Sequence, residues 1–288
     1  MYFCLYYFLF YMATVSVLMS VYQSEKAEYL HRSLQSVWDD QTSKPSQIVL
    51  IIDGSIGKEL QQVVDSWKSK LGDVFCVVKN EVNLGLTKSL NKGLQYITSE
   101  YIARADSDDI SMPSRFELQS TYLDTHPDVD IMGGSMQEFN DTNDCINVRH
   151  YPLTHEEASK YIVKASPLAH PSVMMRKKIF DGGLKYNEKY RTSQDIALWY
   201  DTLLAGYHIA NIDDIVLLFR QSGDVFKRRG RAKAWNEFKI YMDGIYRLKG
   251  LFTLNYAYPI ARLIFRMMPD SIIKLIYQSK MRNKMLQS

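Results

Sequence analysis

Cysteine is scarce in this chain: Cys4, Cys76 and Cys145 are the only three among 288 residues. The number is odd and no two have the spacing of metal ligands. That argues against a disulfide-built scaffold and a thiolate metal centre, and fits a reducing cytoplasm. Charge is absent from the first 22 residues. This stretch is long enough to span a bilayer, but no basic segment precedes it, which argues against a secretory signal. Its second part, 13–22, reads as a buried strand rich in β-branched residues. The expectation is that translation starts at Met12 and that residues 1–12 are a hydrophobic extension. Internal repeats and low-complexity tracts are missing. No glycine-rich pyrophosphate loop follows the first strand, as a nucleotidyltransferase would need. No acid closes that strand either, since it ends Ser20-Val21-Tyr22, and a phosphatase with an aspartyl nucleophile would place one there.

The composition is otherwise that of a folded globular chain, 46% apolar and 23% charged, with length enough for a sizeable core. The 20 tyrosines suit a sugar-handling surface and an ordinary core equally. The net charge of +3 is unevenly placed: from Arg220 onward there are fifteen Lys or Arg against four Asp or Glu. Such a basic end could meet a diphosphate, anionic lipid or nucleic acid, but no nucleic-acid-binding module accompanies it.

Strands are expected at 14–21, 47–52, 74–78 and 101–105, alternating with helices at 25–39, 58–71, 86–98 and 113–126. The second strand is apolar after its first residue, as a strand covered on both faces should be. Beyond this, 129–139 and 215–219 read as strands and 194–205 as a helix. After residue 231 the pattern is helical, broken at Pro259 and Pro269. The alternation predicts a parallel sheet with right-handed crossovers. The fold class is therefore α/β: a doubly wound, Rossmann-like mixed sheet flanked by helices, with a helical C-terminal extension. Ligands of such sheets bind beyond the carboxyl ends of the strands, where Asp53 and Asp106 fall.

Asp106-Ser107-Asp108-Asp109 packs three carboxylates into four residues. At the end of an apolar strand they repel one another unless a cation compensates. Hard divalent ions such as Mg²⁺ or Mn²⁺ choose carboxylate oxygens and share their shell with phosphates. An acidic turn capping the next helix is the competing reading. Asp53-Gly54-Ser55 closes the second strand, and its carboxylate could accept from a base or ribose while Gly54 lets backbone approach. Asn83 and Gly85 stand at a helix start, where they either line a cleft or cap the helix. Arg104 could steady a carboxylate or reach a diphosphate.

Taken together, VSVLMSVYQSE, SLQSVWDDQT, IVLIIDGS, NLGLTKSLNKGL and YIARADSDDISMPSRFELQ resemble the family 2 glycosyltransferases. The likeness is greatest to bacterial enzymes of O-antigen, capsule and amylovoran-type exopolysaccharide synthesis. It continues through LAHPSVMMRK and SQDIALWYDTLLAGY to FKRRGRAKAWNEF, and covers nearly all of residues 14–250. The resemblance implies a GT-A fold, a UDP-sugar donor, a Mn²⁺ or Mg²⁺ ion and inversion at the anomeric carbon. By position it places Ser20, Tyr22 and Asp53 in the nucleoside pocket, with Asn83, Gly85, Arg104 and Ser107 also on the nucleotide-sugar side. Asp106 and Asp108 become the DxD pair, with Asp108 the direct ligand and Asp109 a support for the loop. Asp195 becomes the general base. His170 and Trp199 fall on the acceptor side. Apart from the resemblance, Lys227, Arg228, Arg229 and Arg231, with Arg220, are candidates for a basic lid on the diphosphate, and a solvated basic loop is the competing reading. There are two departures from the family pattern. Ile52 stands where many relatives have a first aspartate, and Gln194 where they have glutamate.

The implied organisation is a nucleotide-sugar half, 13–128, and an acceptor half, 129–250, of one domain. A basic amphipathic tail, 251–288, would lie on anionic membrane beside a lipid-diphosphate-linked saccharide acceptor. That places the chain on the cytoplasmic face of the inner membrane. The alternatives, a sugar-phosphate nucleotidyltransferase or a non-catalytic carbohydrate-binding protein, do not require Asp106, Asp108 and Asp195 together.

Overall fold

The computed structural model describes residues 14–140, 142, 144–221 and 231–268. The expected extension 1–12, the start at Met12, the basic lid at Lys227, Arg228 and Arg229, and the break at Pro269 lie outside the described residues.

Strands β1 (Val15–Val21) and β2 (Gln47–Asp53) lie side by side inside the sheet. Their apolar runs are continuous because both faces are covered. Val15, Val17 and Met19 with Ile48, Leu50 and Ile52 pack under α1 (Ala27–Val37), α2 (Lys58–Leu71) and α4 (Arg115–Thr125). Leu18, Val49 and Ile51 face the other way, toward α3 (Leu86–Leu94) and α7 (Gln194–Leu204). The period-two alternation of side chains sorts one run of residues into two cores.

The other strands are β3 (Phe75–Asn80), β4 (Tyr101–Arg104), β5 (Ile110–Ser111), β6 (Ile131–Phe139), β7 (Cys145–Arg149), β8 (Met174–Arg176) and β9 (Ile209–Arg220). Among the described residues the sheet order is β3-β2-β1-β4-β8-β6-β9-β5, with β7 paired to β6. β3, β2, β1 and β4 run parallel, as the strand–helix alternation requires. The second half is mixed: β8 is antiparallel to β4 and β6, while β6 and β9 run parallel.

Several boundaries differ from expectation. The third helix stops at Leu94, and β9 begins six residues earlier than 215, because Asn211, Asp213 and Asp214 interrupt its apolar pattern. Helix α5 (His155–Tyr161) starts with a capping box between Thr154 and Glu157, and α6 (Lys178–Asp181) follows β8. The C-terminal break falls elsewhere than Pro259. Helix α8 (Arg231–Lys249) ends at Gly250, which has φ 77°, and Pro259 lies in the first turn of α9 (Ala257–Met267), where its missing N–H costs nothing. Glycine on α8 sets how closely that helix approaches α7: a Cβ on Gly244 would sit 2.4 Å from the Tyr200 ring.

Candidate active site

β4 ends at Arg104, and the chain turns out of the sheet carrying the acidic cluster. The turn is held from several sides. Ser33 Oγ of α1 donates to the Asp106 carbonyl at 2.7 Å. Ser107 Oγ donates to Glu25 in the β1–α1 loop. Arg220, at the end of β9, donates its backbone N–H to Asp109 Oδ1 at 2.8 Å and its Nε to the Asp108 carbonyl at 2.9 Å. The same guanidinium stacks on Tyr29 and Phe139. Arg220 is thus a latch for the acidic loop.

Asp106, Asp108 and Asp109 each bring a carboxylate oxygen within 4.8 Å of the others. Burial, reinforced by the charges of Asp106 and Glu25, pushes the Asp108 carboxyl up to about 6. Burial, with the charges of Asp106 and Asp108, pushes the Asp109 carboxyl well above the ordinary carboxylate range, and its Oδ2 is buried with no hydrogen-bond partner among the described residues. Like charges held together with an orphaned acceptor fit a hard divalent cation, which takes carboxylate oxygens at about 2.1–2.5 Å. Asp109 does support the loop, as expected, yet its second oxygen also belongs to the cluster.

Asp53 lies at the end of β2, buried. Its Oδ1 accepts from Asn80 Nδ2 at 2.9 Å and Leu84 N at 2.8 Å, and its Oδ2 from Gly85 N at 2.8 Å. Asn83 Nδ2 reaches back to the Asp53 carbonyl at 3.3 Å. The carboxylate therefore shapes the loop before α3. Gly54 permits this: its φ is 86°, and a Cβ there would lie 2.8 Å from Asn83 N. Ser20 is half-buried at the end of β1 and Tyr22 is exposed just beyond it, on the same rim.

α3 joins this rim to the loop before α7. Thr87 Oγ1 donates to the Tyr190 carbonyl, and Asn91 exchanges hydrogen bonds with the backbone of Tyr186. Asp195 sits in the first turn of α7, two residues after Ser193, whose φ of 59° is the sole positive value at a described non-glycine residue. Strain of that kind persists only where surrounding structure imposes it. Burial raises the Asp195 carboxyl above the ordinary range, while the N–H groups of the helix start and the Arg104 charge hold it back.

Arg104 touches one acidic centre, and its charge reaches the other. It is fully buried on the α3–α7 face, and its Nη2 donates to Asp106 Oδ1. Its Nε and Nη1 have no partner among the described residues. His170 Nε2 and Tyr186 Oη are 2.8 Å apart beside it, and burial with the Arg104 charge keeps the imidazole neutral.

Two expectations for the acceptor side change. Trp199 is completely buried and donates its indole N–H to Ser166 Oγ at 3.1 Å, so it cannot face an acceptor. It lies in a run of five buried residues, Ile196 to Tyr200, because α7 is covered on most of its circumference. His170 is buried against Trp199 and Tyr186 and props the wall instead of lining it. Sequence reasoning missed Glu25. Its signal was a lone acid in the β1–α1 loop, and only the fold brings it beside Asp108.

A central mixed sheet flanked by helices, with a C-terminal helical extension, is the arrangement of the GT-A class of sugar transferase. Residues 16–184 match the family described as Glycosyl transferase family 2. The chain belongs to that family, and is related to enzymes of bacterial exopolysaccharide and O-antigen biosynthesis. It is 34% identical over 270 residues to the amylovoran biosynthesis glycosyltransferase AmsE of Erwinia amylovora, covering 91% of this chain and 97% of that one. It is 32% identical to the UDP-Gal:alpha-D-GlcNAc-diphosphoundecaprenol beta-1,3-galactosyltransferase of Escherichia coli, covering 93% of this chain and 96% of that one. Among solved structures, S. aureus TarS 1-349 in complex with UDP superposes with a TM-score of 0.60 at 17% identity, covering 94% of this chain and 73% of that one. No described helix is long and apolar enough to cross a membrane.

Proposed function

We propose that this glycosyltransferase moves a hexose, with inversion, from a UDP-sugar to a hydroxyl of a lipid-diphosphate-linked saccharide. The observation that carries this reading is the cluster Asp106, Asp108 and Asp109, with Arg104 bonded to it and exerting its charge on Asp195. One centre suits a diphosphate leaving group and the other suits removal of a proton. The relatives' printed activities support the donor and acceptor classes, and galactose is the first sugar to test.

Asp195 accepts the proton of the acceptor hydroxyl as that oxygen bonds to C1, and the bond from C1 to the UDP oxygen breaks on the opposite face. Burial makes Asp195 a better base than an exposed aspartate, while Arg104 and the helix start oppose the rise. Asp106 and Asp108, with Asp109 behind them, would hold Mn²⁺ or Mg²⁺, which supplies charge stabilisation for the departing diphosphate. Ser20, Tyr22 and the loop shaped by Asp53, Asn83 and Gly85 take the nucleoside, and Ser107 keeps the acidic turn in place. Arg228 and Arg229 are proposed to close on the diphosphate. The acceptor's lipid puts the chain in peripheral contact with the cytoplasmic face of the inner membrane.

The test is a UDP-release screen over a panel of UDP-sugars, with lipid-diphosphate-linked GlcNAc or GalNAc and Mn²⁺. Acceptor-dependent release from one donor is expected. Metal-independent release, or none with any donor, would overturn the proposal.

A further inference from the structure

Helix α9 carries its charges inward and its apolar side chains outward, the reverse of the amphipathic tail expected from composition. Arg262 Nη1 donates to Glu237 Oε1 of α8 at 2.6 Å, and Arg266 Nη1 donates to Glu237 Oε2. Glu237 is nearly fully buried, with 5% of its side chain exposed, and a buried carboxylate must be paired. These two contacts fix the rotation of α9. Residues 260, 264 and 267 lie on one stripe at helical spacing, and Ile260, Ile264 and Met267 are all exposed on it. At the turn between α8 and α9, Leu251, Phe252 and Leu254 project, the last two 97% and 93% exposed. Together these form one apolar face ending in a protruding tip. Large exposed apolar patches on a folded domain mark a surface that something covers.

Charge indicates what covers it. Residues 244–268 contain no Asp or Glu, and residues 269–288 add four Lys or Arg against one Asp. Residues 1–219 carry the opposite balance, 28 Asp or Glu against 20 Lys or Arg. With Arg262 and Arg266 committed to Glu237, Lys249 and the four Lys or Arg of 269–288 supply the positive charge of this end of the sequence, and an acid-free apolar face within it complements an anionic lipid surface, which attracts Lys and Arg and admits Phe and Leu. Pairing two copies through this face would instead bring two basic ends together.

We infer that the outward face of α9 and the Leu251–Phe252–Leu254 tip form a docking surface for an anionic bilayer. This rests on the membrane contact proposed above and names the side chains that make it. The tip enters the headgroup region, and Glu237 keeps the stripe turned outward.

The test is co-sedimentation of the full chain with vesicles of phosphatidylglycerol and phosphatidylethanolamine, and with phosphatidylcholine alone. The parent should partition onto the anionic vesicles and be released as salt rises. The triple variant Leu251→Ser, Phe252→Ser, Leu254→Ser should lose at least about tenfold in partition, because each side chain buries apolar area worth about that factor. Ile264→Asp should lose about tenfold as well. Turnover on a short-chain, water-soluble acceptor should stay unchanged in both variants, since these residues lie outside the site. If no acceptor is glycosylated at all, the proposed function fails while the partition result still decides the surface. A parent that does not bind anionic vesicles would overturn the inference. So would variants that bind as the parent does, or a concentration-dependent dimer that the triple variant dissolves.

Discussion

Replacing Asp53 with Asn keeps the side chain's shape and removes its charge. Three donors now converge on that carboxylate: Asn80 Nδ2, Leu84 N and Gly85 N, at 2.9, 2.8 and 2.8 Å. An amide offers one acceptor oxygen. If that oxygen replaces Oδ1, two hydrogen bonds survive without their charge and lose about 1 kcal/mol each. The amide nitrogen then faces the Gly85 N–H, a donor against a donor, for about 1 kcal/mol more. The total is about 3 kcal/mol, and a chain of this size loses about 2 °C of melting temperature per kcal/mol, so a fall of about 6 °C is expected. Because the same bonds shape the loop proposed to take the nucleoside, UDP affinity should fall with it. Thermal unfolding and UDP titration read the two effects separately. An unchanged melting temperature with UDP binding lost would mean that Asp53 acts on the ligand alone. Both unchanged would refute the argument that its carboxylate organises the loop.

Asp108→Ala should abolish metal-dependent UDP binding in calorimetry, since it removes one of three clustered carboxylates. Asp195→Asn should leave UDP binding intact and lower turnover about 10²–10⁴-fold, and a variant that retains activity would refute its role as base. The pH dependence follows from Asp108, whose carboxyl is raised to about 6 in the folded chain. A raised carboxyl favours the fold below the unfolded value and loses that contribution as pH rises through about 6. Mn²⁺ should therefore raise the melting temperature strongly at neutral pH and little below pH ~5, because binding needs the ionised form. Gly244→Ala should destabilise by about 1 kcal/mol, as overpacking against Tyr200 outweighs the gain in helix propensity. A circular-dichroism melt at or above the parent's temperature would contradict that.

The parallel half of the sheet was legible in the chain because its strands are buried on both faces and read as unbroken apolar runs. The acidic cluster was legible because carboxylates so close together need a reason. β8 and the early part of β9 were not. Met174–Arg176 is too short to show a period, and Asn211 hides a strand whose side-chain amide is satisfied by the Pro152 and Pro167 carbonyls. Trp199 was misplaced because sequence gives a residue's chemistry but not how much of its helix the fold covers.

The sequence by itself determined which groups could do chemistry: three aspartates at a strand end, Asp53 at another, and Asp195 at a helix start. Local rules of burial, charge and helix capping act over a few residues, so a linear reading reaches them. Only the tertiary structure decided what those groups face. Long-range packing brings the Arg104 charge to bear on Asp195, brings Glu25 beside Asp108, and turns Arg262 and Arg266 inward onto Glu237. Each of those pairings joins residues whose partners are set by how helices dock on the sheet, and no period or spacing in the chain encodes that.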